Sequence, residues 1–173
     1  LVDYVGSTLG YAYEATFGTF ALTLADWIFS QRYAPDGTLE VTAPYLFDFD
    51  GNGNGSHWLD LTISYTGPSH IPLTLELGVL IYNDPDHSLY AGVRYDADVG
   101  AGFTLSPELG VVFGRSARWY FTDSDPVNLT NCTLTLTRTT DLGHGLTLPI
   151  SLALVVNPEA ERIHIVARLG LHY

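Results

Sequence analysis

The segment "RIHIVARLGLHY", Arg162 to Tyr173, decides the fold. One parity reads Ile163, Ile165, Ala167, Leu169, Leu171 and Tyr173, and the other reads Arg162, His164, Val166, Arg168, Gly170 and His172. Successive side chains of a strand point to opposite faces, so this pattern builds a strand with one apolar and one mostly polar face. The same alternation recurs upstream: Leu146, Leu148, Ile150, Leu152, Leu154 and Val156 face away from Thr147, Pro149, Ser151, Ala153 and Val155. Phe103 to Phe113 and Ile71 to Ile81 repeat it, and fainter versions run through 57–66, 88–98, 128–140, 2–13 and 16–29. The expectation is about nine strands, no helix and a single domain over 1–173.

The connections alternate in character. Short turns are expected near Glu14–Ala15, Gly67–His70, Val99–Ala101 and Asp141–Gly145, and longer, more acidic loops at 30–56, 83–87, 114–127 and 157–161. In an up-and-down meander successive connections lie at opposite ends, so one rim carries the short turns and the other the long loops, with 30–56 a long extracellular loop.

Alternation alone does not say which face is buried. A barrel of ten or so strands has no room inside for five or six Leu, Ile, Val or Phe from every strand. The opposite parity, rich in Thr, Ser, Ala and Gly with sparse charges, suits a lumen. Asp60, Glu76, Arg94, Asp96, Glu108, His164 and Arg168 are the lumen-lining candidates. The apolar rows then face lipid, which is tolerable only if the sheet closes and pairs every backbone group. Trp27, Trp58, Trp119, Tyr65, Tyr95, Tyr120 and Tyr173 fall near strand ends, where an interfacial girdle would place them. The fold class expected is all-β, an antiparallel up-and-down transmembrane β-barrel.

Composition narrows the partners. The formal charge is −12, from 19 acidic residues against seven basic ones, and all seven are Arg. Such a surface repels phosphate backbones and excludes nucleic acid as a partner. The single cysteine, Cys132, makes an internal disulfide impossible and reads as a small apolar filler.

The ending "VARLGLHY", with Leu169, Leu171 and Tyr173 on one parity, resembles the C-terminal assembly signal of bacterial outer-membrane barrels. With "LADWIF", "HWLDLTISY" and "LTLPISLALVVNPEAERIHIVARLGLHY", the chain resembles uncharacterised outer-membrane barrels and putative porins of Bacteroidota. The resemblance implies residence in the bacterial outer membrane and contact with outer-membrane lipid. It also implies recognition by the barrel-assembly machinery and strands preceding Leu1; other membrane-complex subunits are separate candidate partners. An odd number of such strands would give a complete barrel of about ten to twelve.

The stretch "LFDFDGNGNGSHWLD", 46–60, raises a calcium site. Asp48, Asp50 and Asn52 with Gly53 match the first half of an EF-hand loop, but the twelfth place holds Leu59 and no helix flanks it. A looser oxygen cage of Asp48, Asp50, Asn52 and Asn54 remains as a Ca2+ candidate, beside the plain reading of a turn-rich loop. For catalysis, the local pairs Ser56–His57 and Ser69–His70 point to opposite faces of a strand, and no nucleophile elbow, phosphate loop or metalloprotease motif is present. The expectation is therefore no enzyme, no catalytic residues and no cofactor beyond that Ca2+.

The function expected is a small passive pore or a structural, anchoring component of the membrane. One alternative is a soluble secreted β-sandwich or barrel binding calcium or carbohydrate through 48–60. The other is an outer-membrane lipid hydrolase.

Overall fold

The computed structural model describes residues 4–29, 31–33, 39–42, 47–51, 55–120, 122, 126–171 and 173. In chain order the strands are β1 (Tyr4–Ala15), β2 (Gly18–Phe29), β3 (Gln31–Tyr33), β4 (Leu39–Thr42), β5 (His57–Thr66), β6 (Leu73–Tyr82), β7 (Leu89–Tyr95), β8 (Ala97–Gly100), β9 (Phe103–Phe113), β10 (Val127–Gly143), β11 (Leu146–Asn157) and β12 (Arg162–Leu169). No helix occurs among the described residues, and so none is long and apolar enough to cross a membrane, which says nothing about strands.

One antiparallel sheet runs β1-β2-β5-β6-β7-β9-β10-β11-β12 in sequence order and curls into a half-barrel. β7 and β8 both pair with β9 and are separated only by Asp96, so they are two halves of one kinked strand. The kink has a local cause. Pro107 of β9 has no N–H to donate, and Asp96 turns its own N–H to Pro72 O on the β6 side, at 2.9 Å. Counting that strand once, the sheet is the expected nine-strand meander. β3 and β4 form a small separate hairpin inside the long loop, which alternation had not revealed.

The rims also separate as expected. Residues 16–17, 67–72, 101–102 and 144–145 connect strands at one end, while 30–56, 83–88, 114–126 and 158–161 connect them at the other. The tight end depends on backbone geometry that favours glycine: Gly18 has φ +146°, and a Cβ there would sit 2.5 Å from Thr66 O.

Antiparallel partners share a face, so the register assigns every side chain. Leu9, Leu24 and Leu61 share a row, as do Leu136, Leu105 and Leu152, and Leu134, Leu154 and Ile165. All these rows lie on the convex face. Leu9 and Ile165 are each 75% exposed, and Leu22, Ile63, Leu77, Leu109, Leu152 and Leu169 are exposed with them. The buried apolar residues Ala25, Trp58, Leu80, Val112 and Ala153 are instead on the concave face. The molecule is thus inside-out relative to a water-soluble sandwich.

Two bulges adjust the parity. At Leu129/Asn131 an extra residue lets Val127 and Leu129 share the convex face with Cys132, Leu134 and Leu136. At Leu59/Asp60 the bulge turns Tyr82 outward. Arg138, at the tight end of the convex face, lies over the Phe103 ring 5.3 Å from its centroid. The convex face also has a groove of about 450 Å³, where Cys132 meets Val93, Leu109 and Leu154.

The aromatic residues divide in a way that sequence did not foresee. Tyr65 and Tyr95 face outward near the tight rim, where the Tyr65 hydroxyl donates to Phe17 O at 2.6 Å and its ring packs 5.0 Å from Phe20. Tyr173 is fully exposed. Trp27 and Trp58 occupy inward positions paired in register, and Trp119 and Tyr120 come inward on a loop.

Candidate functional site: an acidic cavity on the concave face

Asp60 from β5, Glu76 from β6, Glu108 from β9, and His164 and Arg168 from β12 line one cavity of about 450 Å³ with Tyr90, Tyr120 and Thr130. Five of the seven expected lumen positions therefore meet in one space. Arg94 and Asp96 lie beside it: Arg94 lines a small adjoining pocket with Glu76 and Glu108, and its Nε is 3.2 Å from Asp96 Oδ1. Ser106 Oγ donates to the same Asp96 oxygen at 2.6 Å.

The acidic groups are held separately. Thr62 Oγ1 donates to Asp60 Oδ1 at 3.3 Å, and Asn131 Nδ2 donates to Glu108 Oε1. Asn131 is in turn fixed by Thr133, whose hydroxyl donates to its side-chain oxygen. Each comes from a different strand, and among the described residues no group of three His, Cys, Asp or Glu is placed to hold a metal ion.

A loop closes over the cavity. Within residues 114–126, Ser116 and Thr122 form a β-bridge, Ala117 N donates to Asp86 Oδ2 at 3.0 Å, and the Ser88 and Ser116 hydroxyls are bonded. This brace aims Trp119 and Tyr120 inward. Trp119 packs 5.4 Å from Trp58 and 5.6 Å edge-on from Phe29, and Tyr120 stacks on Tyr90 at 5.5 Å with the rings 8° apart. Burial under these rings pushes the Tyr120 hydroxyl well above its usual range, with the Asp60 charge adding to the effect, so it stays a protonated donor.

Tyr90 lies flat because Gly92 and Gly110, paired in register, leave room for it. A Cβ would approach the Tyr90 hydroxyl to 2.8 Å at Gly92 and 2.4 Å at Gly110. Sequence reasoning missed Tyr90, Trp119, Tyr120, Thr130 and Asn131. The two inward glycines flanking an inward tyrosine were the one available signal.

Of the 46–60 stretch, Asp60 lines the cavity, whereas residues 47–51 and 55–57 do not. Asp48 Oδ1 accepts the Asp50 N–H at 3.1 Å, Gly55 N donates to Asp50 O and Ser56 N donates to Asp48 O, which is the bonding of a tight turn. Asn52 and Asn54 lie outside the described residues. Phe49 stacks on His57 at 3.9 Å on the convex side, and His57 Nδ1 is 2.8 Å from Asp26 Oδ2. Asn83 fixes this corner by donating to Gly55 O at 2.8 Å and His57 O at 2.9 Å. Of the local Ser–His pairs, His57 is thus turned to a carboxylate and Ser56 is buried in the turn. Leu169, Leu171 and Tyr173, the residues of the expected C-terminal signal, are all exposed.

No family model matches the chain, and neither a curated protein nor a solved structure is significantly similar to it.

Proposed function

We infer that the sheet is the wall of a membrane-spanning β-barrel and that the barrel is a small passive pore favouring cations. One observation carries this reading: between its rims the exposed convex face is a continuous apolar surface, whereas the concave face holds the acidic cavity. Exposed apolar patches beyond a few hundred Å² mark a partner or a membrane. Here the apolar surface follows every strand, which fits lipid better than a local docking partner.

The edges support closure. Among the described residues β1 pairs only with β2 and β12 only with β11, so each leaves a row of backbone groups that hydrocarbon does not satisfy. As first and ninth strands of a meander they run the same way, so antiparallel closure takes an odd number of additional strands, from this polypeptide or another. The C-terminal alternation favours the bacterial outer membrane and its assembly machinery, and a barrel left shut would serve as an anchor for other membrane subunits.

Conductance of the detergent-refolded protein in a planar bilayer tests the pore, with calcium added and then chelated. Cation-selective steps are expected. Insertion without steps overturns the pore and leaves a structural barrel, and a protein monodisperse without detergent overturns the membrane reading. Glu76→Gln combined with Glu108→Gln is expected to lower the cation-to-anion permeability ratio by about two-fold or more, because fixed lumenal charge sets the local ion concentration. Cys132, facing outward, should react with a water-soluble maleimide at least about ten-fold more slowly in vesicles than after denaturation, since the thiolate is the reacting form and hydrocarbon suppresses it.

A further inference from the structure

We propose that the acidic cavity is a binding site for an elongated organic cation carrying two or more ammonium groups. The proposal deepens the pore reading, on which it rests for the route by which the ligand arrives.

The carboxylates of Asp60, Glu76 and Glu108 come from three strands and share one cavity of about 450 Å³. They do not converge on a point, and no metal-holding cluster occurs among the described residues. Separate anions in a common space fit separate cations on one flexible chain better than a single compact ion. Among the described residues, Glu76 makes no hydrogen bond or ion pair, and the Arg94 guanidinium in the adjoining pocket is paired with Asp96.

A second observation is independent of charge. Thr130, only 5% exposed, lines the same cavity, and its Oγ1 has no hydrogen-bond partner. Buried hydroxyls are nearly always bonded, so an open one marks a place for a ligand group. The bulge at Leu129/Asn131 puts it there, next to the Asn131 amide that holds Glu108.

The stacked Tyr90 and Tyr120 rings supply the third element. Aromatic faces attract ammonium groups and cover the methylenes between them. Arg168 lines the β12 side of the cavity, so an ammonium chain is repelled from there and settles against β5, β6 and β9.

The test is titration of the refolded protein in neutral detergent with the triamine spermidine, followed by calorimetry, with Mg2+ as the comparison. Saturable spermidine binding at least about ten-fold tighter than Mg2+ is expected, since a matched chain bonds each anion and a diffuse acidic surface does not discriminate. Glu76→Gln and, separately, the near-isosteric Thr130→Val should each weaken it about five-fold or more, while Asp98→Asn, which removes an equal charge outside the cavity, leaves it unchanged. Equal affinity for Mg2+, or equal weakening by all three substitutions, overturns the proposal. The two readings fail separately: a conducting protein with no saturable spermidine binding sinks this site, and saturable binding by a protein that never conducts sinks only the pore.

Discussion

Leu77→Arg is expected to destabilise the protein in lipid vesicles by about 2–4 kcal/mol, the cost of a basic side chain near the middle of a lipid-facing wall. Leu77 lies mid-way along β6 on the convex face, registered against Ile63 and Ala91, and it is exposed. In the equilibrium between folded and unfolded protein this is roughly a 30- to 1,000-fold change. Thr135→Arg, on the concave face beside the carboxylates, should cost less than about 1 kcal/mol, because the new charge meets water and anions instead of hydrocarbon. Urea titration of vesicle-refolded protein measures both. The sign of the difference is the informative part: a larger penalty at Thr135 would mean that the faces have been assigned the wrong way round, and equal small penalties would fit an exposed apolar face that never meets lipid.

Trp119→Ala with Tyr120→Ala should raise single-channel conductance by about two-fold or more, because apolar constrictions limit ion flow by excluding water. Both side chains turn inward and pack against Trp58, Phe29 and Tyr90, which in the proposed pore puts them at its mouth. The brace through Ser88, Ser116 and Asp86 stays in place, so the loop keeps its path and only its aromatic content changes. Unchanged conductance would show that the narrowest point lies lower, near the Arg94–Asp96 pair. Gly110→Val provides a cross-check from the other side: its side chain displaces the Tyr90 hydroxyl and should loosen the Tyr90–Tyr120 stack without touching the loop.

The nine-strand meander and the sorting of connections by rim were legible because strand parity is written directly into alternating residues such as Ile163 to Leu169 and Ile71 to Ile81. Parity also placed Asp60, Glu76, Glu108, His164 and Arg168 on one face without distances. It did not show that they share a cavity, because that depends on how far the sheet curls. The strand at 128–140 reads faintly for a specific reason: the bulge at Thr130 exchanges odd for even positions, so no single parity runs its full length. Trp119 and Tyr120 were assigned to an outer girdle because a strand-end aromatic looks the same in either direction. Their inward turn is set by hydrogen bonds from Asp86 and Ser88, more than 25 residues away in sequence, as the 28 positions between Ser88 and Ser116 illustrate.

In the proposed membrane barrel the unequal rims set a preferred direction of unaided insertion. Crossing a bilayer drags one end of the wall through hydrocarbon, and polar backbone outside regular pairing is what makes that passage slow. The two-residue turns at 16–17, 101–102 and 144–145 offer little of it, whereas the opposite end carries the 30–56 loop, the Asp84–Asp86 corner and the braced 114–126 loop. In the proposed barrel, unaided insertion therefore leads with the tight turns, and the extracellular placement expected of the 30–56 loop requires assembly machinery that carries the bulky rim across.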